Sequence, residues 1–184
     1  MKFLAPLSRL FRRVAGERVW RGKDGTKYWL RRYRLHRDDG PAIEYADGGR
    51  EWWRNGKPHR DAGPAIERAD GGTWWYRDGK LHRSDGPAIE RPDGTKEWCR
   101  NGELHRDDGP AIECANGDKF WFHNGQCHRA DGPAVERADS GKHVSGRHGT
   151  TEWYRNGRQL TPQEVERIQA EQAHAQRRHL RLNL

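Results

Sequence analysis

Apolar residues are scarce in this chain, and several familiar functional patterns are missing from it. Only 32% of the 184 residues are hydrophobic, 34% are charged, and there is a single Met. No stretch approaches the roughly 20 consecutive apolar residues of a membrane-spanning helix. The sequence contains no P-loop, GxSxG or HExxH motif and no zinc-ligand spacing. A composition this polar is typical of disorder, so any order must come from another feature.

Cysteine is also rare. Cys99, Cys114 and Cys127 form no CxxC pair, and each occupies a position that related segments fill with a different side chain. This pattern favours packed free thiols in a reducing compartment over a disulfide or metal role, and it predicts a cytoplasmic protein.

What the chain does contain is one segment that returns five times. It begins HRDDGPAIEYADGGREWWRNGK and recurs every 23 residues. A fixed period of this length predicts a small unit stacked on copies of itself, each burying apolar surface only against its neighbours. The five copies begin at His36, His59, His82, His105 and His128.

Each copy is predicted to form a β-hairpin. Residues 41–45 make a short strand with proline at its first position, and Asp47-Gly48 makes a turn. Residues 50–54 make the aromatic return strand, and Asn55-Gly56 closes it with a strong hairpin turn sequence. The predicted fold class is therefore all-β, an elongated single-layer antiparallel sheet of stacked hairpins, with two strands in each copy.

Three segments divide the chain. Residues 1–16 are predicted to be a basic amphipathic N-terminal helix, residues 17–160 the repeat array with an insertion at about 143–151, and residues 161–184 a C-terminal capping helix and tail. The N-terminal helix is expected to cap the array. Alternatives are that it lies on an anionic membrane or in a partner's groove, or is a cleaved targeting peptide.

Side chains within the copies fall into constant and variable positions. Tryptophan and isoleucine recur almost unchanged, and we expect them to pack between copies. Two other positions vary, and such positions are either a binding surface or merely solvated. The first holds Tyr45, Arg68, Arg91, Cys114 and Arg137, and the second holds Glu51, Trp74, Glu97, Phe120 and Glu152.

The net charge of +8 is unevenly distributed. Residues 1–35 hold 11 Lys and Arg against 2 Asp and Glu, whereas residues 36–160 hold 20 against 22. Nucleic-acid binding along the whole array is therefore not expected, but the basic N-terminal end with its interleaved aromatics offers it as an alternative. The candidate residues for that alternative are Arg12, Arg13, Arg21, Lys23, Arg31, Arg32 and Arg34.

The segment EYADGGREWWRNGKPHRDAGPA and its copies resemble the MORN-repeat family, and the HRxDGPA variant is similar to MORN-like proteins of bacteria and phages. The resemblance covers residues 17–160 and implies an elongated antiparallel sheet. Some of these relatives are labelled as antitoxins of toxin–antitoxin pairs. Ordinary MORN units carry HGxG where this chain carries HRxDGPA. Because of this departure, the lipid-binding roles proposed for eukaryotic members are not transferred to this chain.

The His-Arg-Asp run of each copy suggests chemistry, but five equivalent sets along a sheet are typical of structure, since an enzyme needs one set in one pocket. We expect His and Asp to bond backbone at the Asp-Gly-Pro turn, and Arg to pair with Glu44-type carboxylates of an adjacent copy. We therefore expect no catalytic residues, no cofactor and no metal site. His143 and His148 in the insertion lack a third ligand.

The sequence thus predicts a non-catalytic, cytoplasmic protein-interaction module. A bacterial or phage antitoxin or inhibitor is the specific role that the family resemblance suggests. Its partner is expected to be another protein, with a second copy of the chain as an alternative and a membrane not expected. The candidate contact residues are Trp53, Trp74, Tyr76, Phe120, Phe122, Arg68, Arg91, His143 and His148.

Overall fold

A computed structural model describes residues 13–14, 17–138 and 150–182 of the chain. Contacts between residues divide the chain into two units, Met1–Glu103 and Leu104–Leu184. The strands of the first unit are β1 (Arg13–Val14), β2 (Glu17–Arg21), β3 (Lys27–Arg31), β4 (Arg34–Leu35), β5 (Ile43–Glu44), β6 (Arg50–Glu51), β7 (Trp53–Arg54), β8 (Lys57–Pro58), β9 (Ile66–Glu67), β10 (Thr73–Trp74), β11 (Tyr76–Arg77), β12 (Lys80–Leu81), β13 (Ile89–Glu90), β14 (Lys96–Glu97) and β15 (Cys99–Arg100).

The boundary between the units falls inside β16 (Glu103–Leu104). The second unit continues with strands and then one helix. Its elements are β17 (Ile112–Glu113), β18 (Lys119–Phe120), β19 (Phe122–His123), β20 (Gln126–Cys127), β21 (Val135–Glu136), β22 (Thr151–Glu152), β23 (Tyr154–Arg155), β24 (Arg158–Gln159) and α1 (Pro162–Leu182).

Each unit contains an antiparallel sheet built from successive hairpins. In the first unit the strand order is β1-β2-β3-β5-β6-β9-β10-β13-β14, with β4 paired to β3. In the second unit it is β17-β18-β21-β22. The predicted all-β fold of stacked antiparallel hairpins is confirmed. Its register is regular, because Ile43 faces Glu51 and Ile66 faces Trp74.

Each copy contains two hairpins, not the single one that we predicted. The return strand is interrupted at Trp52. The backbone N–H and carbonyl of Trp52 form hydrogen bonds outside the two flanking strands. Its N–H donates to the carbonyl of Ala65 over 2.7 Å, and its own carbonyl accepts from the N–H of His59 over 3.0 Å. The residues after Trp52 therefore form a separate two-stranded hairpin, β7 with β8.

The Asn-Gly turns close these second hairpins as predicted. Asn55 and Gly56 have φ values of 53° and 80°, which is the backbone of the turn that follows the twist of paired strands. Residues 17–35 form a degenerate unit that precedes the five copies. Arg32 and Tyr33 of this unit adopt φ values of 49° and 63° at the equivalent turn. The turn geometry is therefore kept even where its usual residues are replaced.

The buried core of the described residues is narrow. The alanine that follows the proline of each copy is completely buried, and its carbonyl accepts from a tryptophan N–H, as Ala42 does from Trp29 over 2.8 Å. The adjacent Ile43 and Ile89 are 5% exposed. The tryptophans other than Trp20 are half-buried. The fully buried alanines are Ala42, Ala65, Ala88, Ala111 and Ala134.

The N-terminal helix prediction is wrong at Arg13 and Val14. These residues form β1 and pair with Arg18 and Glu17 of β2. A strand edge presents unpaired backbone groups that an added strand satisfies, and this pairing overrides the helical spacing of the leucines. Residues 1–12 and 15–16 lie outside the described residues.

The C-terminal helix begins at the predicted capping box. Thr161 N–H donates to Glu164 Oε2 over 2.8 Å, and Glu164 N–H donates to Thr161 Oγ1 over 3.4 Å. These reciprocal bonds satisfy two backbone donors that the helix cannot use internally.

The insertion in the fifth copy leaves the sheet register intact. Residues 139–149 lie outside the described residues, but Val135 of β21 still faces Glu152 of β22, as Ile43 faces Glu51. Thr151, which we assigned to the insertion, already belongs to β22.

Candidate functional site

The histidine that opens each copy is a structural group in the described fold. His36 is 3% exposed. Its Nδ1 accepts the backbone N–H of Asn55 over 3.0 Å, and its Nε2 lies 2.8 Å from Asp38 Oδ1. Because Nδ1 accepts a hydrogen bond, the proton of the neutral ring resides on Nε2 and is donated to Asp38. The imidazole thus joins the start of the copy to the turn of the second hairpin of the same copy.

The same bond recurs in every copy. Our prediction that these histidines bond the Asp-Gly-Pro turn is therefore wrong, because each accepts from the turn that closes the following hairpin. The turn places a backbone N–H there with no partner of its own, which the ring satisfies. The other donors are Asp78 to His59 (3.0 Å), Asn101 to His82 (3.2 Å), Asn124 to His105 (3.2 Å) and Asn156 to His128 (3.1 Å).

The arginine that follows the opening histidine lies over one of the recurring tryptophans. Arg60 Cζ is 3.7 Å from the ring centroid of Trp52. Its Nη1 donates to Glu67 Oε1 over 2.7 Å and to the carbonyl of Pro64 over 3.1 Å. We predicted a carboxylate of an adjacent copy, but the partner lies in the same copy, because the Gly-Pro turn folds it back onto the arginine. The equivalent rings are Trp29 under Arg37 (4.1 Å), Trp75 under Arg83 (3.9 Å) and Trp121 under Arg129 (4.1 Å).

A carboxylate bridge accompanies this stack. Asp61 accepts from Arg54 Nη2 over 2.6 Å and lies 2.9 Å from His59 Nε2. The hydrogen bond from Arg54, followed by that from His59, lowers the pKa of Asp61 below its ordinary value. Arg31 and His36 hold Asp38 in the same way.

One histidine departs from the repeat and creates a cluster of metal-ligating types. His123 stands where Arg54 stands earlier, and its Nε2 lies 3.8 Å from Asp107 Oδ1. His105 Nε2 lies 3.1 Å from the same oxygen, so the three donor atoms fall within 4.8 Å of one another. However, His105 accepts the N–H of Asn124 at Nδ1. A metal-bound histidine normally donates from its second nitrogen, so His105 Nε2 is protonated and unavailable as a ligand.

Two ligands are fewer than the three that protein metal sites usually supply. The cluster therefore gives no support for a metal, and the expectation that the chain holds none stays a prediction. His143 and His148 lie outside the described residues.

The two variable positions form cross-strand pairs within one hairpin. Tyr45 Oη donates to Glu51 Oε1 over 2.8 Å, and Arg68 Cζ lies 4.6 Å above the Trp74 ring. In the third copy Arg91 and Glu97 form an ion pair. The partners differ among these three copies, but each of the three pairs is complementary.

This pairing also changes the exposure of the predicted contact residues. We expected five exposed aromatics, yet all five are half-buried, because neighbouring side chains cover parts of their rings. Trp53 Nε1 donates to Glu51 Oε2 over 2.7 Å, and Arg137 Cζ lies 5.6 Å from the Phe120 ring. Arg68 and Arg91 are exposed. The half-buried residues are Trp53, Trp74, Tyr76, Phe120 and Phe122.

The most exposed aromatics lie instead near the start of the array. Tyr33 is 81% exposed, Tyr45 is 39% exposed and Trp20 is 38% exposed. Trp20 contacts Tyr28 with ring centroids 4.8 Å apart, and Arg18 Cζ lies 5.4 Å from the Tyr33 ring. The contact list from the sequence omitted Tyr33. The signal available was its place in the turn position that Asn-Gly otherwise fills.

The basic residues proposed for nucleic acid are partly accounted for. Arg31 is half-buried and pairs with Asp38. Arg12 lies outside the described residues, and Arg13 belongs to β1. The exposed members of the set are Arg21, Lys23, Arg32 and Arg34.

A scan against protein-family models and a search of the curated proteins both found no match for this chain. The resemblance to MORN-like repeats therefore stays a prediction. Among the described residues, no helix has the length and apolar character needed to cross a bilayer.

Proposed function

We propose that the chain is a non-catalytic module that binds another protein through the variable cross-strand pairs. The observation that carries this proposal is the exchange of one complementary pair for another on an unchanged backbone. Tyr45 with Glu51, Arg68 with Trp74, and Arg91 with Glu97 occupy equivalent positions. Repeat scaffolds of stacked units present such positions as binding surfaces.

The constant residues support this division of roles. The histidine and arginine of each copy are engaged in internal contacts, as His36 and Arg60 show. They hold the hairpins in place, so the variable pairs are displayed at a fixed register. The pair of Arg68 and Trp74 combines an exposed arginine with a half-buried tryptophan. Arginine and tryptophan are among the residues most enriched at interface hot spots.

An antitoxin or inhibitor of bacterial or phage origin, acting in the cytoplasm, is the finer form of this proposal. It depends on the resemblance of the HRxDGPA copies to MORN-like proteins. Residues 1–16, on which membrane association would depend, are described only at 13–14, so that alternative gains no support.

The test exchanges one pair for another that the chain already uses. In Arg68→Tyr with Trp74→Glu, the second copy receives the pair of the first. Thr73→Lys is the matched control, because Thr73 is adjacent to Trp74 on β10 and so points to the opposite face. Partners are captured from the native host on the wild-type chain, and the affinity of each purified partner is then measured by calorimetry.

We expect the pair exchange to weaken binding at least about tenfold, which is the loss of one hot-spot contact, and Thr73→Lys to leave it unchanged. Thermal unfolding should be the same in all three proteins. Equal affinity of the exchanged variant and the wild type would contradict the proposal.

A second candidate function is supported by the exposed aromatics near the start of the array. Trp20 and Tyr33 project among the exposed Arg21, Arg32 and Arg34. Aromatic faces stack on bases while cations contact phosphates. Because such binding releases counterions, the affinity for a fluorescent single-stranded oligonucleotide should fall steeply with salt. Tyr33→Asn, which restores a usual turn residue, should reduce it. Affinity that is independent of salt and of Tyr33 would exclude this candidate.

A further inference from the structure

The carboxylate bridge between Arg and His is absent from the third copy, although its arginine and its histidine are present. In the first two copies, the bridging side chains are Asp38 and Asp61, each held by a histidine two residues before it and an arginine seven residues before it. In the third copy the same position is Ser84. The arginine and the histidine remain, as Arg77 and His82.

The side chains of Arg77 and His82 therefore have no bridging carboxylate between them. Arg77 is exposed and has no hydrogen-bond or ion-pair partner among the described residues. His82 Nδ1 lies 3.2 Å from the backbone nitrogen of Asn101 and 3.1 Å from Asn101 Oδ1. With Nδ1 accepting the backbone N–H, as in the other four copies, the ring proton is on Nε2. That Nε2–H donates to no described residue, whereas His59 Nε2 meets Asp61 at 2.9 Å. Two donors thus face a position that a carboxylate fills in the neighbouring copy.

A surface pocket of about 370 Å³ lies at this position, lined by Arg77, His82 and Ser84. Two acidic residues also line it. Asp61 is already held by Arg54 at 2.6 Å, and Asp85 accepts from Arg83 over 2.9 Å. Both carboxylates are therefore offset by cations of their own, and Arg77 supplies the positive charge that is not offset.

We propose that this pocket binds a small oxyanion, a carboxylate or a phosphate, in place of the missing aspartate. The guanidinium of Arg77, the Nε2–H of His82 and the hydroxyl of Ser84 are its donors. Charge-assisted bonds from guanidinium and imidazole to an oxyanion are the strong hydrogen bonds of proteins. The oxyanion site does not depend on the protein-binding role, because its donors Arg77, His82 and Ser84 are not members of the variable pairs.

The test follows the Arg77 side chain by ¹⁵N NMR of the full chain at pH 7.5 and constant ionic strength. Sodium acetate and sodium phosphate are titrated separately against sodium chloride. Ser84→Asp is the decisive variant, because it supplies the carboxylate that the first two copies carry as Asp38 and Asp61. Arg77→Gln removes the main donor, and Arg50→Gln is the control at an exposed arginine outside the pocket.

We expect saturable shifts of the Arg77 and His82 side-chain signals in the wild type and in Arg50→Gln. A response to acetate identifies the carboxylate of an acidic side chain as ligand, and a response to phosphate alone identifies a free phosphate-type oxyanion. Ser84→Asp should lose the response and melt about 2 to 4 °C higher, since it gains an internal ion pair. Arg77→Gln should lose the His82 response as well.

Two results would overturn the proposal. One is a wild-type response to acetate and phosphate that equals the response to chloride. The other is a Ser84→Asp variant that titrates as the wild type does.

Discussion

The stack of Arg60 on Trp52 allows the stabilising role of the repeated arginine to be measured. We predict that Arg60→Ala lowers the free energy of unfolding of the array by about 2 to 4 kcal/mol. The guanidinium lies 3.7 Å from the indole centroid, a contact worth about 1 kcal/mol in a partly exposed setting. Its bonds to Glu67 and the Pro64 carbonyl contribute about 1 kcal/mol each or somewhat more.

The arginine is 29% exposed at its side chain, so these values need little reduction for screening by solvent. The assay is urea unfolding followed by tryptophan fluorescence and by circular dichroism, because a repeat array need not unfold in one step. Arg50→Ala is the matched control. Arg50 is exposed on β6 and forms no ion pair among the described residues, so its loss should change stability by less than about 0.5 kcal/mol.

A double-mutant cycle with Trp52→Leu isolates the ring contact from the ion pair. The coupling between the two changes should exceed about 0.5 kcal/mol. The stabilising role of Arg60 is refuted if Arg60→Ala lowers the free energy of unfolding no more than Arg50→Ala does. It is also refuted if the double-mutant cycle shows no coupling between Arg60 and Trp52.

Three further predictions concern the turn, the helix start and a buried thiol. Asn55→Ala should cost about 1 kcal/mol in urea unfolding because its φ of 53° disfavours alanine, and Asn55→Gly should be close to neutral; equal losses would contradict this. The hydrogen bond from Arg158 lowers the pKa of Glu164 to about 2, so the stabilisation of α1 is complete above the ordinary carboxyl pKa and is lost as pH falls from about 4.5 to 2; circular dichroism should show this loss in the wild type and not in Glu164→Gln. Burial raises the pKa of Cys99 to about 11, so with the other two cysteines changed to serine this thiol should react with a disulfide reagent at pH 8 at least about tenfold more slowly in the native protein than in urea, and similar rates would place it at the surface.

The period of the sequence was sufficient to predict the hairpins and their turns. Asn55-Gly56 forms the expected turn, because a pair that tolerates positive φ specifies a local geometry that distant contacts do not alter. The second hairpin in each copy was missed. The break at Trp52 depends on a bond to Ala65 in the next copy, and neither residue has a side chain that shows where its backbone bonds go.

The candidate site was predictable only in part. Sequence comparison between copies identified the two variable positions, but it did not show that Arg68 covers Trp74, because which residues face each other depends on hairpin register. The role of histidine was assigned to the wrong turn for a similar reason. His36 and Asn55 are 19 residues apart in one copy, and the contact depends on how that copy folds back on itself.

The fully buried alanine of each copy has a consequence for how arrays of this kind change length. Ala65 has no exposed surface, and a larger side chain at a fully buried position has to displace its neighbours. We expect a 23-residue copy that keeps its alanine to be easier to duplicate or delete than one that changes it. The segment between β21 and β22 follows the same rule, since its additional residues leave Val135 opposite Glu152. Growth by whole copies, with variation at the cross-strand pairs and in the segment between β21 and β22, is the evolutionary path that this architecture leaves open.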